Sequence, residues 1–272
     1  GGADRGRNMK LKIFLSVFGY GGLHARTHKS IFDELTRFPS QVEWTHRVIT
    51  DDALIDRSRS RALSSFVRAV DNDDRRAAFA MVDHDIAWRT GDLARLANTA
   101  ARENAVVGGL YACRGMRAGF SSRLVPGGAP FKFGGGDGLH EAQHVATGFM
   151  AGSISAVRLV LEHCWIPDAL PGVSPVWPRE PPPAWARITE CVPVASGDGP
   201  WWDFFRPVPL PETLPGYEGK CNYASEDWAF SARARHAGVR LLISEAPQLV
   251  HYGQFGFTPV HGLPLPEPED PQ

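Results

Sequence analysis

The feature that most constrains this chain is an alternation of short apolar runs with amphipathic stretches whose apolar residues recur at spacings of three and four. Leu11–Phe18 (LKIFLSVF) is largely apolar, as a strand buried on both faces of a sheet must be. Gly19-Tyr20-Gly21-Gly22 interrupts it, and Ile31, Leu35 and Phe38 then mark a helix. Val42–Ile49 reads as a second strand. Leu54, Ala62, Leu63, Phe66, Val67 and Val70 form the stripe of a second helix, whose remaining surface is expected to carry Arg57, Arg59 and Arg61. Residues 77–82 (AAFAMV) are a further buried strand, ending abruptly in Asp83-His84-Asp85. A helix over 93–102 and a strand over 105–111 continue the series. Strand and helix alternating in this way predict an α/β fold with an open, mostly parallel sheet flanked by helices.

The pattern then loosens. Residues 114–140 are Gly-rich, including Gly134-Gly135-Gly136, and are expected to form a mobile excursion or hairpin. A strand over 145–152 and a helix over 155–163 follow. Residues 165–217 hold five of the 8 tryptophans and more than half of the 22 prolines, so they form a long irregular segment too apolar to be a linker. Regular structure resumes with a helix over 226–236 and a strand over 239–243. The expected organisation is a flexible arm at 1–9, with Met9 a native start, one catalytic domain over 10–255, and a Pro-rich acidic tail over 256–272.

Composition narrows the function classes. With 43% hydrophobic and 22% charged residues, the chain is not largely disordered. Lys+Arg 29 against Asp+Glu 30 leaves a net charge of -1, so no global basic field points to nucleic acid or an anionic membrane. No apolar run approaches the roughly 18 residues of a membrane span, and no signal peptide precedes the first strand. The 4 cysteines show no CxxC spacing and read as reduced structural thiols. Together these imply a cytoplasmic protein without a membrane span.

Three short segments carry chemistry. Asp83-His84-Asp85 follows a buried strand directly, and ligand crevices of open α/β sheets lie off the carboxyl ends of the strands. Two carboxylates so placed can bring oxygens to one divalent ion; a solvated turn is the plainer alternative. Ser225-Glu226-Asp227 opens a helix, where Ser225 suits an N-cap and the acids suit the helix dipole. Asp227 or Glu226 could equally face the crevice as a general base. His251, closing an apolar segment, becomes credible as a third metal ligand beside Asp83 and Asp85. A competing motif, His140-Glu141-Ala142-Gln143-His144, matches the HExxH of zinc hydrolases, which place two imidazoles on one helical face. Glycines before it and Thr147-Gly148 after it oppose the helix that this chemistry needs. No P-loop, GxGxxG fingerprint or GxSxG elbow is present.

Taken in order, five segments resemble a GT-A-fold, nucleotide-sugar-dependent glycosyltransferase of the DxD, family-2-like type. They are the first strand with Phe18-Gly19-Tyr20, the run from Leu54 to Leu63, and Asp83-His84-Asp85-Ile86-Ala87-Trp88. The others are Val145-Ala146-Thr147-Gly148-Phe149-Met150 and Ser225-Glu226-Asp227-Trp228 running on to Val250-His251. The resemblance implies a Rossmann-like GT-A domain whose long Trp/Pro-rich insertion lies on the acceptor side. It implies that Ser16, Phe18 and Tyr20 line the nucleoside site and that Arg57 or Arg61 helps hold the nucleotide. Asp83 would approach the ribose and metal, Asp85 would ligate Mn²⁺ or Mg²⁺, and His251 would complete the metal shell. Thr147 and Gly148 would lie beside the donor sugar, while Asp227, with Glu226, would meet the acceptor hydroxyl.

The implied reaction transfers a sugar from a nucleoside diphosphate, UDP above all, to a glycan, a small aglycone or a hydroxymethylated DNA base. The alternatives are a zincin-like metallohydrolase using His140, Glu141 and His144, or a non-catalytic carbohydrate- or nucleic-acid-binding module. Trp165, Trp177, Trp185, Trp201, Trp202, Phe204, Phe205 and Tyr217 offer flat faces for stacking on an acceptor, or else form a satellite core. Arg57, Arg59, Arg61, Arg68, Arg75 and Arg76 offer a local basic face for a DNA acceptor.

Overall fold

The computed structural model describes residues 10–19, 22–37, 40–50, 52–71, 74–113, 119–133, 136–165, 181–192, 199–211, 214, 223–253, 256–257 and 264–265. The flexible arm, most of the acidic tail, Tyr20, Phe38, Trp177 and Tyr217 lie outside these residues.

The first half follows the alternation closely: β1 Leu11–Phe18, α1 Ala25–Arg37, β2 Val42–Ile49, α2 Ile55–Ala69 and β3 Ala77–Asp83. A short β4 Ile86–Trp88 leads to α3 Asp92–Glu103 and β5 Val106–Gly109. Next come β6 Arg123–Leu124, β7 Leu139–His144, β8 Phe149–Ser153 and α4 Ile154–Cys164. The irregular segment contributes the two-residue strands β9 Glu190–Cys191, β10 Trp201–Trp202, β11 Val208–Pro209 and β12 Tyr223–Ala224. The chain closes with α5 Glu226–His236, β13 Leu241–Ser244, β14 Leu249–Tyr252, β15 Gly256–Phe257 and β16 Pro264–Leu265.

Eight strands form the main sheet in the order β2-β1-β3-β8-β5-β13-β7-β6. β1 pairs in parallel with both β2 and β3, and β13 pairs in parallel with β5. β8 is inserted antiparallel between β3 and β5, and β7 runs antiparallel to β13. Helices α2, α4 and α5 cover one face around Phe66, Val157 and Phe230, and α1 and α3 cover the other around Ile31, Leu93 and Leu96. The architecture is therefore α/β, with a large mixed sheet between two helical layers. Within the Gly-rich stretch, β6 pairs antiparallel with β7.

Two features of the layout position the site. From β1 the chain passes to β2 on one side and to β3 on the other, which makes the carboxyl ends of β1 and β3 a topological switch point. Second, β4 leaves the main sheet to pair antiparallel with β14, setting His251 opposite Ile86. The start of α3 is fixed by Glu34 of α1, which accepts hydrogen bonds from Gly91 N (2.7 Å), Ala94 N (2.8 Å) and Trp88 Nε1 (3.2 Å). Gly91 has no side chain with which to cap the helix, so the buried carboxylate takes over that role. Burial pushes the Glu34 carboxyl above its ordinary value despite these donors.

The aromatics of the irregular segment divide. Phe204 and Phe205 are fully buried in the core, with Phe205 stacked on Phe230 at 4.5 Å. Arg233 of α5, itself buried, clamps them by donating from Nη1 to the carbonyls of Phe204 and Arg206. Phe204 and Phe205 thus anchor the segment in the main core of the domain.

Phe66 joins this core to the sheet through edge-to-face contacts with Phe14 (5.1 Å) and Phe79 (5.8 Å). Phe66→Ala is expected to cost about 3–5 kcal/mol in urea unfolding, because rigid neighbours on three elements cannot collapse into the cavity.

Candidate functional site

A cleft of about 550 Å³ opens at the switch point. Its floor is Phe18 and Gly19 from the end of β1, with Asp83, His84 and Asp85 from the end of β3. Asp52 and Ser58 form one wall, and Arg59 and Glu226 the other. The size is ordinary for a site holding a nucleotide-sized ligand.

At its centre is Arg59, only 3% exposed, which corrects the expectation that it lies on the helix surface. Its Nη2 donates to Asp83 Oδ1 at 2.5 Å and its Nη1 to Glu226 Oε1 at 2.6 Å. The guanidinium also faces the Phe18 ring at 5.6 Å. Burial alone disfavours this charge, but the two carboxylates outweigh that and hold Arg59 above its ordinary value. Arg59 in this way ties α2, β3 and α5 together under the cleft.

The expected nucleotide-holding arginines lie elsewhere. Arg57 is bound to Asp52 through Nη2 (2.5 Å) and Nε (3.2 Å) at the cleft mouth. Burial tends to raise Asp52, yet its hydrogen bonds from Arg57, Ser58 and the Leu54 N–H bring it down to about 2. Arg61 faces Trp201, in a neighbouring groove. Ser16 is buried inside β1, two residues before the cleft.

Gly148, in the turn into β8, lies beside Asp83. Gly148 O accepts from Asp83 N at 2.9 Å, and Gly148 N donates to the Tyr111 hydroxyl at 3.1 Å. A Cβ at Gly148 would collide with that hydroxyl and stand 2.9 Å from Asp83 Oδ2, so the backbone approach requires glycine. The Tyr111 hydroxyl, buried and close to the Asp83 charge, is held protonated well above its ordinary value.

Asp85 and His251 meet through the β4–β14 pairing. His251 Nε2 lies 3.6 Å from Asp85 Oδ1, and both side chains are largely buried. His251 Nδ1 is 2.9 Å from the carbonyl of Ala112, which can only accept, so Nδ1 carries the proton. Nε2 then presents either a second proton or a lone pair toward Asp85. Protonated, the ring makes an ion pair with Asp85; with its lone pair outward, the two groups offer one nitrogen and one oxygen ligand to a divalent ion. Asp83, expected as a third ligand, is turned to Arg59 instead. Among the described residues no group of three or more His, Cys, Asp and Glu side chains is gathered tightly enough to hold a metal ion.

The two candidate bases part company. Glu226 lines the cleft against Arg59. Asp227 turns toward β7, where its Oδ2 lies 3.1 Å from His144 Nε2 and its Oδ1 accepts from Ser225 Oγ (2.5 Å) and Trp228 N (2.8 Å). The His144 ring stacks on the Trp228 indole at 4.0 Å and 4°. Burial pulls Asp227 up, but His144, Ser225 and the Trp228 N–H pull it further down, keeping it ionised below the usual carboxylate range.

The HExxH segment is strand β7 rather than a helix. His140 Nε2 contacts Glu245 at 2.7 Å, and four residues of extended chain, roughly 13 Å, separate it from His144. One zinc ion cannot be shared across that distance.

No protein-family model matches this chain, and no curated protein matches it. Among solved structures it is similar to the crystal structure of A197 from STIV, with 15% identity and a TM-score of 0.49 over 97% of each chain.

Two outcomes test the site's electrostatics. Arg59→Ala should cost about 3 kcal/mol in urea unfolding, because Asp83 and Glu226 lose their shared cation. That is the low end for a buried pair, since the two carboxylates remain 29% and 22% exposed. The stability that Asp227 contributes is complete above its ordinary value of 3.8 and is lost as pH falls below it. Unfolding free energy measured across that acid range should decline less steeply in Asp227→Asn; an unchanged decline would assign it to other carboxylates.

Proposed function

We propose that this chain is a metal-dependent glycosyltransferase of GT-A architecture that moves a sugar from a UDP donor to an acceptor hydroxyl. The observation that carries this reading is the Asp85–His251 pair, whose Nδ1-protonated imidazole turns its other nitrogen onto a carboxylate at the switch-point cleft. The charge balance supports it. Four carboxylates, Asp52, Asp83, Asp85 and Glu226, line the cleft beside one guanidinium, Arg59, which Asp83 and Glu226 share, while Asp52 pairs with Arg57. A diphosphate cannot settle beside such an acidic floor unless a cation accompanies it.

Asp85 and His251 would hold that ion, which supplies Lewis-acid stabilisation of the departing diphosphate. The chain's own groups do the rest. The cleft wall at Asp52 suits the nucleoside, while Arg59 fixes Asp83 and Glu226 so that neither swings into the diphosphate. As the sugar–phosphate bond breaks, positive charge grows at the anomeric carbon, and an acceptor hydroxyl must lose its proton while attacking. Of the two carboxylates that open α5, Glu226 lines the cleft where that proton would be taken, whereas Asp227 is held against His144 and Ser225.

A thermal-shift panel of nucleotide sugars tests the reading. A UDP-sugar with Mn²⁺ should raise the melting temperature by several degrees. Asp85→Ala and His251→Ala should each abolish the gain. The absence of any shift with every nucleotide sugar, in Mn²⁺ and in Mg²⁺, would overturn it.

A further inference from the structure

A second groove of about 310 Å³ runs beside the cleft and shares Ile49, Asp52 and Ser58 with it. Its walls are basic and aromatic. Arg47 projects from β2, Arg61 and Arg68 from α2, and Trp201 from β10. Arg61 and Arg68 are seven residues apart, two helical turns, and so lie on one face. Both engage indoles: Arg61 stands 5.6 Å from the Trp201 ring and Arg68 4.7 Å over that of Trp202.

The carboxylate in the groove wall, Asp52, is committed to Arg57, and Arg68 reaches Glu190 only at 3.4 Å on the exposed rim. Among the described residues no carboxylate pairs with Arg47, whose partial burial holds its guanidinium below the ordinary value. Three guanidinium groups lining one groove suit an anion with several oxygens. Indoles beside them provide faces on which flat rings stack. The cavity admits a nucleotide unit and is too small for a duplex. The chain's net charge of -1 confines any attraction to this track.

We propose that this groove binds single-stranded nucleic acid, its phosphates on Arg47, Arg61 and Arg68 and a base against Trp201. The groove and the cleft share Ile49, Asp52 and Ser58, so the strand, through a hydroxymethylated base, is the acceptor of the transfer. That last step rests on the glycosyltransferase reading; the binding does not.

Fluorescence anisotropy with a labelled oligodeoxythymidylate at rising salt tests the inference. Three phosphate contacts predict a slope of log affinity against log salt of about -2 for a single strand. Arg47→Ala and Arg68→Ala should each weaken binding about tenfold and flatten the slope by about 0.7. Trp201→Ala should weaken binding about tenfold or more with the slope unchanged. Arg47→Lys should keep the slope, and an unaltered melting temperature in Arg47→Ala excludes misfolding as the cause. The inference is overturned by no binding at low salt, by equal binding in the wild type and all three alanine variants, or by tighter binding of a duplex. Asp85→Ala separates the two readings. It should retain full oligonucleotide affinity while losing the donor-dependent thermal shift, so either proposal can fail alone.

Discussion

One buried guanidinium organises the cleft. Arg59 is removed from water, which costs several kcal/mol for a lone charge, and its fold survives because Asp83 and Glu226 meet it at hydrogen-bond distance. Those partners come from the end of a strand and the start of a helix far along the chain, so the ion pair fixes where three elements converge. It also divides labour among the acids. Asp83 and Glu226 are spoken for, whereas Asp85 is left facing an imidazole whose other nitrogen is tied to backbone. The chemistry that the cleft can perform follows from that division.

Where the sequence speaks through local pattern, it is readable. A strand flanked by helices on both faces has to be apolar along its length, so β1 and β3 announce themselves, as do the stripes of α2 and α3. The helix over 226–236 has the expected limits because Ser225 and two acids mark its start. The burial of Arg59 escaped a reading that placed all arginines outside. Yet position 59 falls four after Ile55 and three before Ala62, on the apolar stripe itself, and that spacing was the available signal. His144 was likewise legible only as part of a zinc motif. On a strand it shares the buried face with Ala142, and its real partners, Asp227 and Trp228, come from α5.

Other parts were beyond any local pattern. The pairing of β4 with β14 involves a three-residue strand and a four-residue strand, too short for periodicity to reveal. β8 reads as a buried strand, but its reversed direction depends on the turn at Thr147-Gly148 and on neighbours distant in sequence. The aromatic segment offered two fates that composition cannot separate. Phe204 and Phe205 became core, while Trp201 stayed at a groove wall.

The β4–β14 ladder has a consequence for the order in which the molecule matures. Trp88 waits for Leu249, and Ile86 for His251, so two partners of the same small sheet lie far apart along the chain. Seven of the eight strands of the large sheet precede α5, but Asp85 has no imidazole opposite it until β14 has been made. Contacts of such long sequence separation form late because a large loop must close before they are rewarded. A partly synthesised chain would thus be folded at its base and chemically blank at its mouth.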